Sequence, residues 1–80
     1  MIEKKIKIIL EEIFHHKSKN FNLDLINSNI IDSFGLVSLI IELEKVFKIK
    51  INRSQLNTND FRTINNLKKF IKKKLNKKIS

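Results

Sequence analysis

The one pair in this 80-residue chain whose position could serve chemistry is Asp32-Ser33, ahead of the run Phe34-Gly35-Leu36-Val37, and taken alone such a pair reads as a helix cap and nothing more. Asp and Ser are both favoured where helices begin, because their side-chain oxygens accept from first-turn amides. A serine there also holds its hydroxyl beside unpaired backbone N–H groups at the positive end of the helix dipole, where an attached phosphate is electrostatically favoured. The other polar side chains offer less. The eight acids are scattered, and Glu42 and Glu44, two apart on a helix, point to different faces. His15 and His16 are adjacent, so on a helix they diverge by about 100° and cannot share one metal ion. They read as partly exposed residues near a helix C-terminus. The absence of cysteine removes disulfides, thiolate ligands and a thiol nucleophile. Thioester chemistry, if any, therefore needs sulfur from a cofactor, and no catalytic activity of the chain's own is expected.

The elements that must position Ser33 follow from apolar spacing. Ile2, Ile6, Ile9, Leu10 and Ile13 form the stripe of an amphipathic helix from Ile2 to Phe14. The stretch from Lys17 to Ile31 is too irregular for a helix, but Phe21, Leu23, Leu25, Ile26, Ile30 and Ile31 are available to pin it to a core. A second helix is predicted from Ser33, give or take a residue, with Leu36, Leu39, Ile40, Leu43, Val46 and Phe47 facing the core. Asn57-Thr58-Asn59-Asp60 favours turns, and one short helical turn is expected around Asp60 and Phe61. Thr63 then caps a last helix whose buried stripe is Ile64, Leu67, Phe70, Ile71 and Leu75. The expected fold is all-α: a small four-helix bundle, three long helices and one short, with a long loop between helices 1 and 2.

Length fits one domain over residues 1–80, and a 41% hydrophobic fraction supports one modest core. A single Gly and no Pro argue against a sheet-rich fold with many tight turns. Lys, Ile and Asn supply 40 of the 80 residues, a bias expected when coding sequence drifts toward A and T, so each lysine in the +9 net charge need not have a role. The N-terminal residues Met1 to Ile6 mix acid and lysines into the apolar pattern, which fits neither a signal peptide nor a membrane span, and a cytoplasmic location is expected.

The segment from Ile31 to Phe47, with its Asp-Ser pair, large apolar successor, helix-period apolar residues and acidic pair before a Phe, resembles the phosphopantetheine attachment region of the acyl carrier protein family. Upstream, Asn27-Ser28-Asn29-Ile30-Ile31 looks like the family's loop into the serine, with Asn29 where Gly is common. Asn tolerates the left-handed backbone better than most residues. Downstream, Leu56 to Ile64 resembles the short third helix and its Thr-capped successor. Gly35 and Ser38 stand where fatty-acid carriers usually have acids, and Lys45 and Lys48 follow, so the chain looks closer to stand-alone carriers of the D-alanyl carrier type.

That resemblance implies a non-catalytic carrier that holds an acyl or aminoacyl group as a thioester on a 4'-phosphopantetheine arm, taken from coenzyme A and attached covalently to Ser33. Asp32 would help position the cofactor donor and its metal in the modifying transferase. Phe34, Val37 and Ile41 lie off the core stripe and, with Glu42 and Glu44, would meet partners: a phosphopantetheinyl transferase, an acyl or aminoacyl ligase and a downstream acyltransferase or synthase. A monomer is expected. The other reading of the three apolar residues is that they pack under the loop from Phe21 to Ile31. The alternative function is a small basic helical protein that binds nucleic acid or anionic membrane through the lysine-rich last helix, where Lys68, Lys69, Lys72, Lys73, Lys74, Lys77 and Lys78 occur without an acid. Arginine is scarce and no aromatics are interleaved for base stacking, so nucleic acid is not the expected partner and the lysines read first as a solvated face.

Overall fold

The computed structural model of the protein describes residues 2–17 and 19–79, the side chains of Lys78 and Ile79 excepted. Three α-helices form, α1 (Ile2–Phe14), α2 (Ser33–Phe47) and α3 (Ile64–Ile79), and no strand occurs among the described residues. The all-helical expectation holds, and the one short helical turn expected around Asp60 and Phe61 is present as a 3₁₀ turn, Thr58–Phe61, rather than as a fourth α-helix; a second such turn, Arg53–Gln55, precedes it. The cause is local: Asn52 and Asn57 cap these turns by accepting from the N–H groups of Ser54 and Asn59. With no apolar repeat to continue the winding, one turn is where each stops.

Each helix contributes the stripe its spacing demands. Ile6, Ile9 and Leu10 of α1 meet Leu39, Ile40, Leu43 and Phe47 of α2 and Ile64, Leu67 and Ile71 of α3 in one buried cluster. Ile49, Ile51 and Phe61 fill it from the α2–α3 connection. Val46, expected in the core, is exposed, because it lies at the edge of the stripe that Leu39, Leu43 and Phe47 centre. Leu36, Phe70 and Leu75 are only partly buried at the margin. Thr63 caps α3 as expected, its hydroxyl accepting from the N–H of Asn66 at 3.0 Å. Among the described residues no helix is long and apolar enough to cross a membrane.

The loop from α1 to α2 is fixed at two levels. Leu25 and Ile31 are buried in the core, and Phe21, Leu23, Ile26 and Ile30 pack against it. Between the two buried residues the chain wraps on itself: the N–H groups of Ile30 and Ile31 both donate to the carbonyl of Leu25 at 3.0 Å. Asn29 takes the left-handed conformation there, φ 62°, in keeping with its place where glycine is common. Asp24 organises the polar side. Its Oδ1 accepts from the N–H groups of Ile26 at 3.1 Å and Asn27 at 2.9 Å. Its Oδ2 accepts from Asn27 Nδ2 at 2.9 Å and from Arg62 Nη1 at 3.1 Å. The Leu25 N–H donates to the Arg62 carbonyl at 2.7 Å, and Asn65 binds both the carbonyl of Phe21 and the side chain of Asn22. The loop into α2 is thereby tied to the head of α3.

The N–H of Asn27, with the Arg62 guanidinium and the N–H of Ile26, lowers the Asp24 pKa below its ordinary value despite partial burial. The hydrogen bond and charge of Lys68 do the same for Glu3, which joins α1 to α3. A carboxyl with a depressed folded-state pKa stabilises the fold above its unfolded pKa, and that contribution disappears as pH falls through the folded value. Melting temperature is therefore expected to fall as pH drops from about 5 to about 2. In an Asp24→Asn protein, which keeps one acceptor but does not titrate, melts across the same range should show a smaller fall. An equal fall in both proteins would place the acid sensitivity elsewhere.

Candidate functional site

The head of α2 is built from one cap and one close contact. Asp32 is the N-cap, its Oδ1 accepting from the Gly35 N–H at 2.6 Å while its carbonyl accepts from the Leu36 N–H at 2.8 Å. Ser33 is thus the first helical residue, where a backbone N–H has no acceptor within the helix. Both Asp32 and Ser33 are exposed. The helix dipole favours an anion at this hydroxyl, and the one carboxylate at this end, Asp32, is engaged by the Gly35 N–H. Beyond the serine an apolar face rises out of the fold: Phe34 is 85% exposed, Ile41 52% and Val37 49%. These side chains do not pack under the preceding loop. At spacings of three and four they share the side of α2 opposite Leu39 and Leu43.

No protein-family model matches the chain. Among curated proteins it is similar to the D-alanyl carrier protein of Streptococcus uberis, 32% identical over 76 residues that cover 89% of this chain and 91% of the relative. It is 34% identical to the D-alanyl carrier protein of Streptococcus sanguinis over 82% of this chain and 85% of that one. The D-alanyl carrier protein of Streptococcus pyogenes serotype M5 is 33% identical, over 80% and 76% of the two chains. The chain belongs to the D-alanyl carrier protein family. The resemblance to stand-alone carriers of this type is thus matched by relatives spanning most of the chain.

Within this carrier-family member, the chain's single glycine has a spatial cause. A Cβ on Gly35 would overlap the edge of the Phe14 ring, lying 3.1 Å from its Cζ and 3.0 Å from Asp32 Oδ1. The end of α1 is therefore pressed against the first turn of α2, and any side chain at position 35 would require the Phe14 ring to shift. Ser38, one turn on, is exposed and has no such constraint.

The two expected docking carboxylates part company. Glu42 is half-buried on α2, whereas Glu44 turns to the chain that follows the helix: Oε2 accepts from the Ile51 N–H at 3.0 Å and Oε1 from Arg53 at 3.2 Å. Glu44 is therefore engaged in holding the α2–α3 connection. His15 ends α1 in the left-handed region, φ 53°, and is exposed, whereas His16 is half-buried with Nε2 enclosed and unpartnered. No group of three His, Cys, Asp or Glu among the described residues is placed to hold a metal ion.

Sequence reasoning missed Phe14 and Asp24. The Asx-turn potential of Asp24 was available in Asp24-Leu25-Ile26-Asn27, but its pairing with Arg62, 38 residues away, carries no local signal.

Replacing a helical glycine by alanine ordinarily stabilises by about 0.5–1 kcal/mol. Gly35→Ala is expected to give none of that gain while Phe14 is present, and to recover it in a Phe14→Ala background. A double-mutant cycle by urea denaturation measures the coupling; additive free energies would show that the ring simply swings aside.

Proposed function

We propose that this protein is a single-domain, non-catalytic carrier whose Ser33 hydroxyl is the attachment point of a 4'-phosphopantetheine arm and whose cargo is an aminoacyl group, D-alanyl being the class its relatives' names indicate. The observation that carries the reading is the exposed serine at the first position of a capped helix, in a chain of this family. The residues present fit such an arm. Ser33 supplies an accessible oxygen, the helix dipole favours the negative charge of a phosphodiester, and Asp32 keeps the first turn wound through Gly35. The arm supplies the thiol that this cysteine-free chain lacks, and with it a thioester linkage for the cargo.

The chain's own part is presentation. Asp32 is exposed as well as capping, so its carboxylate is within reach of a modifying transferase and the metal of its cofactor donor. Phe34, Val37 and Ile41 offer an apolar strip one to two helical turns from the serine, and Glu42 borders it, so enzymes that load or unload the arm would dock here. The partners proposed are a phosphopantetheinyl transferase, an aminoacyl or acyl ligase and a downstream acyltransferase, met as a monomer in the cytoplasm.

Incubation with coenzyme A and a broad-specificity phosphopantetheinyl transferase, followed by intact-mass measurement, is expected to show the addition of one phosphopantetheine. Ser33→Ala should show none while keeping its helical circular dichroism, with a stability change of about 1 kcal/mol or less if its hydroxyl assists the cap. Addition to the Ser33→Ala protein would sink the assignment.

Charge is expected to select the partner. Docking between carriers and enzymes is steered by complementary surface potential, and here the docking strip is followed by Lys45 and Lys48. Enzymes with a basic carrier-binding patch should act poorly on this +9 protein. Ser38→Glu with Lys45→Glu should raise loading by such enzymes and lower it by the native ligase, both effects shrinking with salt. Gly35→Asp, the obvious third change, is left out because Phe14 occupies the space. Equal loading rates before and after the two changes would show that charge does not choose the partner.

A further inference from the structure

We propose that the protein adsorbs to an anionic lipid surface through a lysine-lined groove at the pole of the molecule opposite Ser33. The groove, of about 570 Å³, lies between the end of α2 and the C-terminal half of α3 and is lined by Glu44, Lys48, Ile49, Lys50, Lys74 and Lys77. Two segments distant in sequence bring the four lysines together: the left-handed C-cap of α2 and the chain just after it supply Lys48 and Lys50, and α3 supplies the other two. The one acid in the lining already serves Arg53 and the Ile51 N–H. From the groove the positive charge continues along α3, which carries exposed Lys69, Lys72 and Lys73 and no acid from Ile64 to Ile79. The lysines of α1, by contrast, are interspersed with Glu3, Glu11 and Glu12. A general excess of lysine codons accounts for the number of lysines; it does not account for four of them meeting around one groove from two distant segments.

The chemistry of the groove selects among anionic partners. Arg53 and Arg62, the residues suited to bidentate phosphate or base recognition, are both paired with carboxylates. Phe70, the aromatic nearest Lys74, is half-buried with the ammonium over its ring, so no exposed stacking platform for bases stands there. A protein partner would need an aromatic, arginine or large apolar anchor. The exposed apolar residues of α2 nearest Ser33, Phe34, Val37 and Ile41, lie on the strip already assigned to docking, and Ile49 in the groove is buried. Point-charge ammonium groups without an anchor match the diffuse negative potential of a lipid headgroup layer.

Position completes the argument. The 15 residues of α2 separate Ser33 from the groove by about 22 Å, most of the length of a molecule whose long axis is 35 Å. Adsorption at the groove leaves the serine and the apolar strip open to enzymes. This inference is independent of what Ser33 carries.

The test is co-sedimentation of the unmodified full chain with vesicles of phosphatidylglycerol and phosphatidylcholine against phosphatidylcholine alone, from about 50 mM to about 1 M salt. Binding is expected only to the anionic vesicles, and is expected to vanish at the upper salt concentration. Lys48→Gln, Lys50→Gln, Lys74→Gln and Lys77→Gln together should lower the partition coefficient at least about tenfold. A control with the same charge removed elsewhere, Lys4→Gln, Lys7→Gln, Lys17→Gln and Lys19→Gln, should lose much less, both variants being checked for an unchanged melt. Adding Lys69→Gln and Lys73→Gln to wild type alone provides a second, milder variant with an intermediate loss. Equal loss in groove and control variants overturns the proposal, as does a protein that leaves anionic vesicles at low salt but captures a DNA duplex or an acidic protein.

Discussion

The structure depends first on how an irregular segment between Phe14 and Ser33 is made to deliver one serine to one place. It has no proline to stiffen it and no glycine to ease its turns. Hydrophobic anchoring by Leu25 and Ile31 fixes its depth, but apolar contacts are non-directional and leave its path open. The Asp24 carboxylate supplies the direction. By binding two backbone amides of its own turn and a guanidinium from the far side of the chain, it closes the loop on itself and attaches it to the turn ahead of α3. The start of α2 and the start of α3 are then set relative to each other by this carboxylate together with the Leu25–Arg62 backbone bond and the bonds of Asn65 to Phe21 and Asn22, and the position of Ser33 follows from that.

What could be read in the sequence was whatever repeats. The boundaries of α1 and α2 follow from apolar spacing and the Asp-Ser cap, whereas Ser33 stood out from an ordinary cap only through the resemblance of the residues around it. The left-handed Asn29 could also be anticipated, because the steric argument for Asn is local. Features that depend on a distant partner could not. Arg62 is legible as a base but not as the partner of Asp24, and Glu44 looks like one of an acidic pair until the chain after α2 is seen to fold back on it. Val46 was misplaced for a different reason: residues at the edge of an amphipathic stripe are assigned by how the helix rolls against its neighbours, which periodicity does not determine. The short turn around Asp60 and Phe61 could be anticipated from its turn-forming residues, whereas the second turn, Arg53–Gln55, could not, because its Asn52 cap lies in a stretch without other signals.

Along α2 the molecule changes character. Its first turn is uncharged and apolar on the outside, with an open serine and a wound cap. Its last turn ends in Lys45 and Lys48, and joins a region where positive charge accumulates from two distant segments. Short-range apolar contact and longer-range electrostatics are thus separated in space on one helix, so that encounters at one end need not compete for area with those at the other. Two of the residues that keep this end of α2 neutral have different origins. At position 35 any side chain would require the Phe14 ring to shift, while Ser38 is exposed and its neutrality is a property of the surface alone.

His15, Asn29 and Lys48 all adopt positive φ, and the one glycine does not. At the three left-handed positions a glycine would relieve backbone strain of about 1 kcal/mol but would also enlarge the unfolded ensemble, so the two effects largely cancel. Exchange there between glycine and a longer residue is close to neutral. At Gly35 the requirement is volume, and the contact of a Cβ with the Phe14 ring opposes the entropic gain that a helical alanine ordinarily brings. Mutational pressure against guanine- and cytosine-rich codons can therefore erase glycines that serve a dihedral long before one that serves a contact. In a protein of such composition a solitary glycine is a marker of interhelical closeness, and here it points to the place where the end of α1 rests against the turn that presents Ser33.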